Sequence, residues 1–154
     1  MSGHANRGKA WEAQLNHQHS KYRKAGRGAI WQTFPPRNAR GVYLAKSPPD
    51  FMGVLSDGRA VCFDAKDHRG KRFPFNKIKD HQAQDLQAVH DSGGVAFIAL
   101  RLDGRRWWIS WLAIGLAWWD WREKRSKRAS VDVAWLDEYA LEFEGADWLG
   151  ALGL

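Results

Sequence analysis

An α/β layer, with a central mixed β-sheet flanked by helices, is the fold class this sequence predicts, and three observations predict it. Ser56-Asp57-Gly58 and Asp103-Gly104 each separate two short runs rich in β-branched and aromatic residues, which reads as two hairpins. Helical segments precede, separate and follow those hairpins. The resulting order, helix, strand, two strands, helix, two strands, helix, suits one layered domain over residues 1–154, long enough to bury a real core.

Asn6 is suited to cap a first helix running to about Lys24, with Gly26 and Gly28 ending it and Ala10, Leu15 and Tyr22 on its inner stripe. Ala29 to Phe34 reads as the first strand, stopped by Pro35-Pro36, and Arg37 to Lys46 as a basic connection. The first hairpin follows, Phe51 to Leu55 and Arg59 to Lys66, with Gly58 supplying the positive φ of the turn. Asp67 to Phe75 reads as a charged loop. Asn76 is suited to cap a second helix through about Asp91, with Ile78, Leu86 and Val89 inward and Ser92-Gly93-Gly94 as its stop. Val95 to Leu102 and Arg105 to Ser110 form the second hairpin, and a tryptophan-rich helix ends in the basic run Arg122 to Arg128. The tail from Ser130 to Leu154 is acidic and amphipathic, and its pattern assigns no firm element. Ten tryptophans favour core packing in the first place, with some available to bury a dimer interface.

The first hairpin carries the most informative chemistry. If it is centred on Asp57, residues whose numbers sum to 114 face each other, and Asp50 falls opposite Asp64. Alternation puts Lys66 on the side of Asp64 and Val61, Phe63 and Ala65 on the other, so a charged face is expected over an apolar one. Two facing carboxylates repel by about a few kcal/mol at an effective dielectric near 20. A hard divalent cation would offset that repulsion and leave positions open for phosphate oxygens. The alternative is a solvated hairpin face with incidental charges; Lys66 and the surrounding positive charge argue against it.

Residues 1–80 carry 16 basic and 6 acidic side chains, net +10, whereas the remainder carries 8 and 11, net −3. The positive field therefore surrounds the proposed site, and a polyanion such as nucleic acid is the natural partner. Cys62 stands alone, which excludes an intramolecular disulfide or a thiolate zinc site and reads as a small buried hydrophobe. The N-terminus is polar and basic, without the apolar stretch of a signal peptide, so a cytoplasmic location is expected. The apolar segment Trp107 to Trp119 is too short for a membrane span of about 20 residues.

Pro49-Asp50 and Asp64-Ala65-Lys66 together resemble the signature of the PD-(D/E)XK nuclease superfamily. The flanking segments narrow the resemblance. Asn6-Arg7-Gly8 with Glu12, Asp50-Phe51-Met52-Gly53-Val54, Phe63-Asp64-Ala65-Lys66, Phe73-Pro74-Phe75-Asn76, His81-Gln82 and Gly93-Gly94-Val95-Ala96-Phe97 are similar, in order over residues 6–100, to the RecU family of Holliday junction resolvases. The similarity fades in the tryptophan-rich part, residues 105–154. Two departures stand out: Asp64 where the family usually has glutamate, and a short link before Asp50 where the family carries a projecting stalk.

The resemblance implies a single-domain restriction-endonuclease-like core and a homodimeric, Mg²⁺-dependent endonuclease, with Mn²⁺ as a plausible substitute. It would resolve four-way DNA junctions in recombination and repair by paired symmetric nicks that leave 5′-phosphate and 3′-hydroxyl ends. Asp50, Asp64 and the Ala65 carbonyl match its metal ligands, Lys66 its catalytic lysine, and Glu12 and Gln82 further residues that complete the site. Arg7, Lys9, Arg37, Arg40, Arg69, Lys71, Arg72 and Lys77 are the basic residues expected against DNA. A bacterial or bacteriophage source and recombination proteins as partners also follow from the resemblance alone. The competing readings are a restriction-like or repair nuclease acting on duplex or branched DNA, and a non-catalytic junction-binding protein.

Overall fold

The structure, a computed structural model, describes residues 2–154, with side chains from Asn6 onward. Its elements are α1 (Ser2–Lys24), β1 (Gly28–Gln32), β2 (Phe51–Leu55), β3 (Ala60–His68), β4 (Arg72–Pro74), α2 (Asp80–Asp91), β5 (Val95–Leu102), β6 (Arg105–Ser110), α3 (Trp111–Arg122), β7 (Ser130–Asp132), α4 (Val133–Tyr139), β8 (Leu141–Phe143) and α5 (Trp148–Ala151). Six strands form the main sheet in the order β1-β2-β3-β5-β6-β8, and β4 pairs with β7 in a two-stranded ribbon. Only β3 and β5 run parallel within the main sheet, joined by a crossover through α2. The expected mixed sheet flanked by helices is therefore present. Among the described residues no helix is long and apolar enough to cross a membrane.

Helix α1 begins at Ser2, so Asn6 lies inside it and does not cap it. Its buried stripe is Trp11, Leu15, His19 and Tyr22 at helical spacing, with Ala10 exposed one position off that stripe. The helix ends as expected: Gly26 takes φ +69° and the Arg27 amide donates to the Tyr22 carbonyl at 2.9 Å. The second helix starts later than Asn76. Phe75–Lys77 form a 3₁₀ turn, and the Lys79 amide donates to Gln82 Oε1 at 2.9 Å, so the helix start is capped by the Gln82 side chain reaching back to Lys79. Ala83 and Leu86 are buried in α2, while Ile78 is buried ahead of it.

The hairpin register is the one expected: Phe51 pairs with Phe63, Met52 with Cys62 and Gly53 with Val61. Gly53 also pairs with Ile30 of β1, and a Cβ there would lie 2.1 Å from the Ala29 carbonyl oxygen. Only glycine lets β1 approach this closely. The expected charged loop at 67–75 is instead largely strand: β3 runs on to His68, and Arg72–Pro74 pair with Ser130–Asp132. Local charge hid that pairing because its partner lies more than fifty residues away.

Two cores share the sheet. On one face α1 and α5 enclose Phe51, Phe63 and Phe97 around Trp11, Leu15 and Trp148. On the other, α2, α3 and α4 cover Cys62, Ile98, Leu100, Trp107 and Ile109 with Trp111, Trp118 and Leu136. The expectation of a charged face over an apolar one is thus corrected: Cys62 and the fully buried Asp64 lie under packed helices, and β3 opens to solvent at its two ends, at Ala60 and from Ala65 onward. Five of the ten tryptophans are fully buried, and Trp31, at 54% exposure, is the most open.

His19 is buried in the first core between Phe51, Phe63, Tyr22 and Trp148, and its Nε2 accepts the Trp148 Nε1–H at 3.0 Å. Burial lowers its pKa to about 4, because the cation would be desolvated. The unfolded chain therefore binds a proton below about pH 6.5 that the fold refuses until about pH 4, and stability falls as pH drops through that window. The loss should reach about 3 kcal/mol. Urea titrations of the parent and His19→Phe at pH 7 and pH 4 check it: the variant should lose less stability between those pH values than the parent.

Candidate active site

The site forms where β2 leaves the sheet. Pairing of β2 with β3 stops at Phe51 and Phe63, so from Asp64 onward β3 has β5 on one side and an open edge on the other. Side chains take over the missing ladder. The Asp50 amide donates to Asp64 Oδ1 at 3.0 Å, and the Ala65 amide donates to Asp50 Oδ2 at 2.9 Å. The same register puts Pro49 opposite Ala65, and a proline has no N–H to offer the Ala65 carbonyl. The Pro49-Asp50 segment is pinned from β1: the Thr33 amide donates to the Asp50 carbonyl at 2.8 Å, and the Thr33 hydroxyl to the Pro49 carbonyl.

Asp64 is fully buried, and its Oδ2 has no hydrogen-bond partner. An uncompensated buried carboxylate oxygen costs free energy, so this atom calls for a cation or a proton. Burial raises the pKa of Asp64, and it raises that of Asp50 together with repulsion from Asp64. Glu12 is raised too, by desolvation first, against a lowering hydrogen bond from Gln32, with Asp64 adding repulsion. The donor chemistry fits a hard divalent ion: the fully buried Asp64 carboxylate with one oxygen unclaimed, the half-buried Asp50 carboxylate, and a backbone carbonyl on the same open edge. Among the described residues no three His, Cys, Asp or Glu side chains form a metal cage. Glu12 therefore stands near the aspartate pair without closing a third side.

Lys66 and Gln82 meet directly, the Nζ donating to Gln82 Oε1 at 3.0 Å. The oxygen that receives Lys66 is the one that caps α2, so the helix start fixes the position of the lysine. The structure thus brings Asp50, Asp64, Lys66 and Gln82 together, with Glu12 at the margin. Sequence reasoning missed the residue that aims Glu12: Gln32 Nε2 donates to Glu12 Oε2 at 2.9 Å while its Oε1 accepts from Asn16 at 2.7 Å. Alternation from the buried Ile30 would have put Gln32 on the α1 side of β1. Also missed was the ion pair of Asp67 and Arg101, at 2.6 Å and well buried, whose guanidinium reaches the Arg7 carbonyl at 3.3 Å and lies over Trp11. That pair ties α1 to the ends of β3 and β5 and neutralises Asp67, which lines a small pocket beside Lys66.

The basic candidates scatter around this edge. Lys77 lines a pocket of about 290 Å³ with Lys66, His68 and Phe73. Arg69, Lys71 and Arg72 lie exposed beside the end of β3, with Arg72 3.8 Å from Asp132. Arg7 and Lys9 are on α1, with Lys9 near enough to Glu12 to favour its carboxylate form. Arg40 is exposed in the connection between β1 and β2, whereas Arg37 is folded over the Tyr43 ring at 4.1 Å. That connection closes as a small loop through the bridge of Arg37 with Tyr43, with Phe34, Val42, Tyr43 and Leu44 outward.

Comparisons with known proteins identify the fold and the family. The fold is that of Hjc from Archaeoglobus fulgidus, a Holliday junction resolvase from an archaeal hyperthermophile, with a TM-score of 0.56 over 91% of this chain and 98% of that one at 15% identity. This likeness establishes the restriction-endonuclease-like core. The chain is 29% identical over 113 residues to the Holliday junction resolvase RecU of a Geobacillus species, strain WCH70, covering 64% of this chain and 56% of that one. It is 27% identical over 117 residues to that of Streptococcus sanguinis, covering 66% and 58%. The chain therefore spans a little over half the length of these curated relatives. The model of the family described as recombination protein U matches residues 6–147, nearly the whole chain, and the protein belongs to the RecU family.

Proposed function

We infer that this protein is an endonuclease that resolves four-way DNA junctions by paired nicks, using Mg²⁺ or, in its place, Mn²⁺. The observation that carries the reading is the unclaimed Asp64 oxygen beside Asp50 at an open strand edge, with Lys66 held against Gln82. Asp50, Asp64 and the Ala65 carbonyl would hold the cation, which when bound supplies Lewis-acid stabilisation of charge on the scissile phosphate. Lys66 stabilises the negative charge that grows on the phosphate oxygens, or positions the attacking water. Gln82 keeps that ammonium aimed at the site. Glu12, held by Gln32, orients water at the margin of the aspartate pair or helps hold a second ion. Arg7, Lys9, Arg40, Arg69, Lys71, Arg72 and Lys77 surround this edge with positive charge suited to phosphates, and Arg37 joins them if it leaves Tyr43.

Two symmetric nicks call for two sites related by a two-fold axis, hence a homodimer. The short loop between β1 and β2 keeps one competitor in view, a nuclease acting on duplex or other branched DNA. End-labelled four-way junction, flap and linear duplex, each incubated with Mg²⁺ and with EDTA, separate the readings. The expected result is paired cuts at symmetric positions in opposed strands of the junction, none with EDTA, and slower cutting of duplex. Equal cutting of all three substrates would replace the resolvase with a general nuclease, and binding without cuts under any divalent cation would leave a junction-binding module.

A further inference from the structure

Beside the site, and outside the residues assigned to it, lies a groove of about 660 Å³ lined by Lys46, Lys79, His81, Trp118, Trp121 and Arg122, with the Asp80 carboxylate also on its wall. Arg122 reaches Asp80 at 2.7 Å, which neutralises that acid and leaves Lys46 and Lys79 as the surplus charge. Its floor is aromatic. Trp118 is buried, with its Nε1–H committed to the Phe75 carbonyl at 3.2 Å and the Arg122 guanidinium 5.7 Å from its ring. Trp121 is half-buried against Phe75 and Trp118, so part of the indole remains open to the groove.

The groove adjoins the carboxylate site through α2. His81 lies close enough to Asp64 to favour its ionised form. The Lys79 amide and the Lys66 ammonium share one acceptor, Gln82 Oε1, so the wall of the groove and the lysine at the site are fixed by the same atom. A strand whose phosphate reaches Lys66 therefore needs only to continue past α2 to enter it.

We propose that this groove receives the DNA strand adjoining the scissile phosphate, with Lys46 and Lys79 on its backbone and an unstacked base against Trp121. The proposal rests on the nuclease reading above and deepens it by assigning the path of the substrate. Positive charge alone would suit any duplex, whereas an indole face beside the charge selects a nucleotide free of its stack, which a branch point supplies more readily than continuous duplex. The groove is an added site for the substrate strand; none of its side chains needs to touch the reacting atoms.

Four variants test it: Lys46→Ala, on an exposed stretch of loop; Lys79→Ala; Trp121→Leu, which keeps an apolar side chain and removes the ring; and the pair Lys46→Ala with Trp121→Leu. Their thermal unfolding is measured first. Junction affinity is then measured with Ca²⁺ across a salt series, and single-turnover cleavage with Mg²⁺ at saturating enzyme. Lys46→Ala should weaken binding and lower the salt slope by about 1, and Trp121→Leu should weaken binding on the order of tenfold with little change in salt slope. Saturated cleavage should stay near parental for both. A junction carrying 5-iododeoxyuridine near the cut should photocrosslink to Trp121 in the parent. Parental affinity and salt slope in Lys46→Ala and in the double variant, with no crosslink to Trp121 while the parent cuts junctions normally, would overturn the groove and leave the nuclease reading intact. A parent that cuts no DNA would remove both.

Discussion

Asp50→Asn is expected to abolish cleavage and, in the absence of metal, to make the protein more stable. Cleavage should fall by about 10³-fold or more, the scale of several kcal/mol of charge stabilisation lost with one of the two carboxylates proposed to hold the cation. The asparagine oxygen can still accept the Ala65 amide, so the local hairpin geometry survives. Burial and the neighbouring Asp64 raise the pKa of Asp50 in the fold above that of the unfolded chain. A carboxyl shifted in that direction supports the fold when protonated and costs stability as pH rises through its raised pKa, because the unfolded chain ionises first. At pH 8 in EDTA the variant should therefore melt above the parent, and near pH 4 the gap should shrink. Added Mg²⁺ should raise the melting temperature of the parent and leave that of the variant nearly unchanged. Calorimetry at both pH values with and without Mg²⁺, beside junction cleavage, reads all of this. Parental cutting by the variant would remove Asp50 from the site, and a variant that melts below the parent at pH 8 in EDTA would show that its charge is compensated in the fold.

Trp148→Ala should destabilise the fold by about 3–5 kcal/mol, the range for truncating a fully buried large aromatic. Trp148 belongs to α5, a helix of four residues that local propensity alone could not hold. It is fully buried, within 4.9 to 5.9 Å of the rings of Phe97, Phe63, Tyr22 and His19. Truncation opens a cavity in the core that seats α1 and strips His19 Nε2 of its one donor. Trp148→Phe should lose less, because it refills most of the volume and forfeits only the indole N–H. Urea unfolding of both variants measures the difference. A loss below about 1 kcal/mol in Trp148→Ala would mean that the last helix is not part of the cooperative core.

Much of the site was legible because it rests on one hairpin. Turn chemistry at Asp57-Gly58 fixed the register, the register placed Asp50 beside Asp64, and alternation placed Lys66 on the same side. The connection of Lys66 to Gln82 was only implied by family resemblance, since nothing in a helix of period 3.6 says which of its polar residues meets a strand. Gln32 was passed over for a similar reason: a lone glutamine at a strand end has no local signature, and its role exists only because α1 crosses β1.

The sequence by itself determined the strand pairs joined by tight turns, the helix stop at Gly26, the charge asymmetry and the residues that gather at Asp64, because each depends on contacts near in the chain. Only the tertiary structure decided that β3 extends to His68, that Arg72–Pro74 pair with Ser130–Asp132, that β8 extends the sheet and that α5 closes the first core. Those elements are three or four residues long or strongly charged, and their stability comes from distant partners that bury them, a contribution no local window of sequence contains.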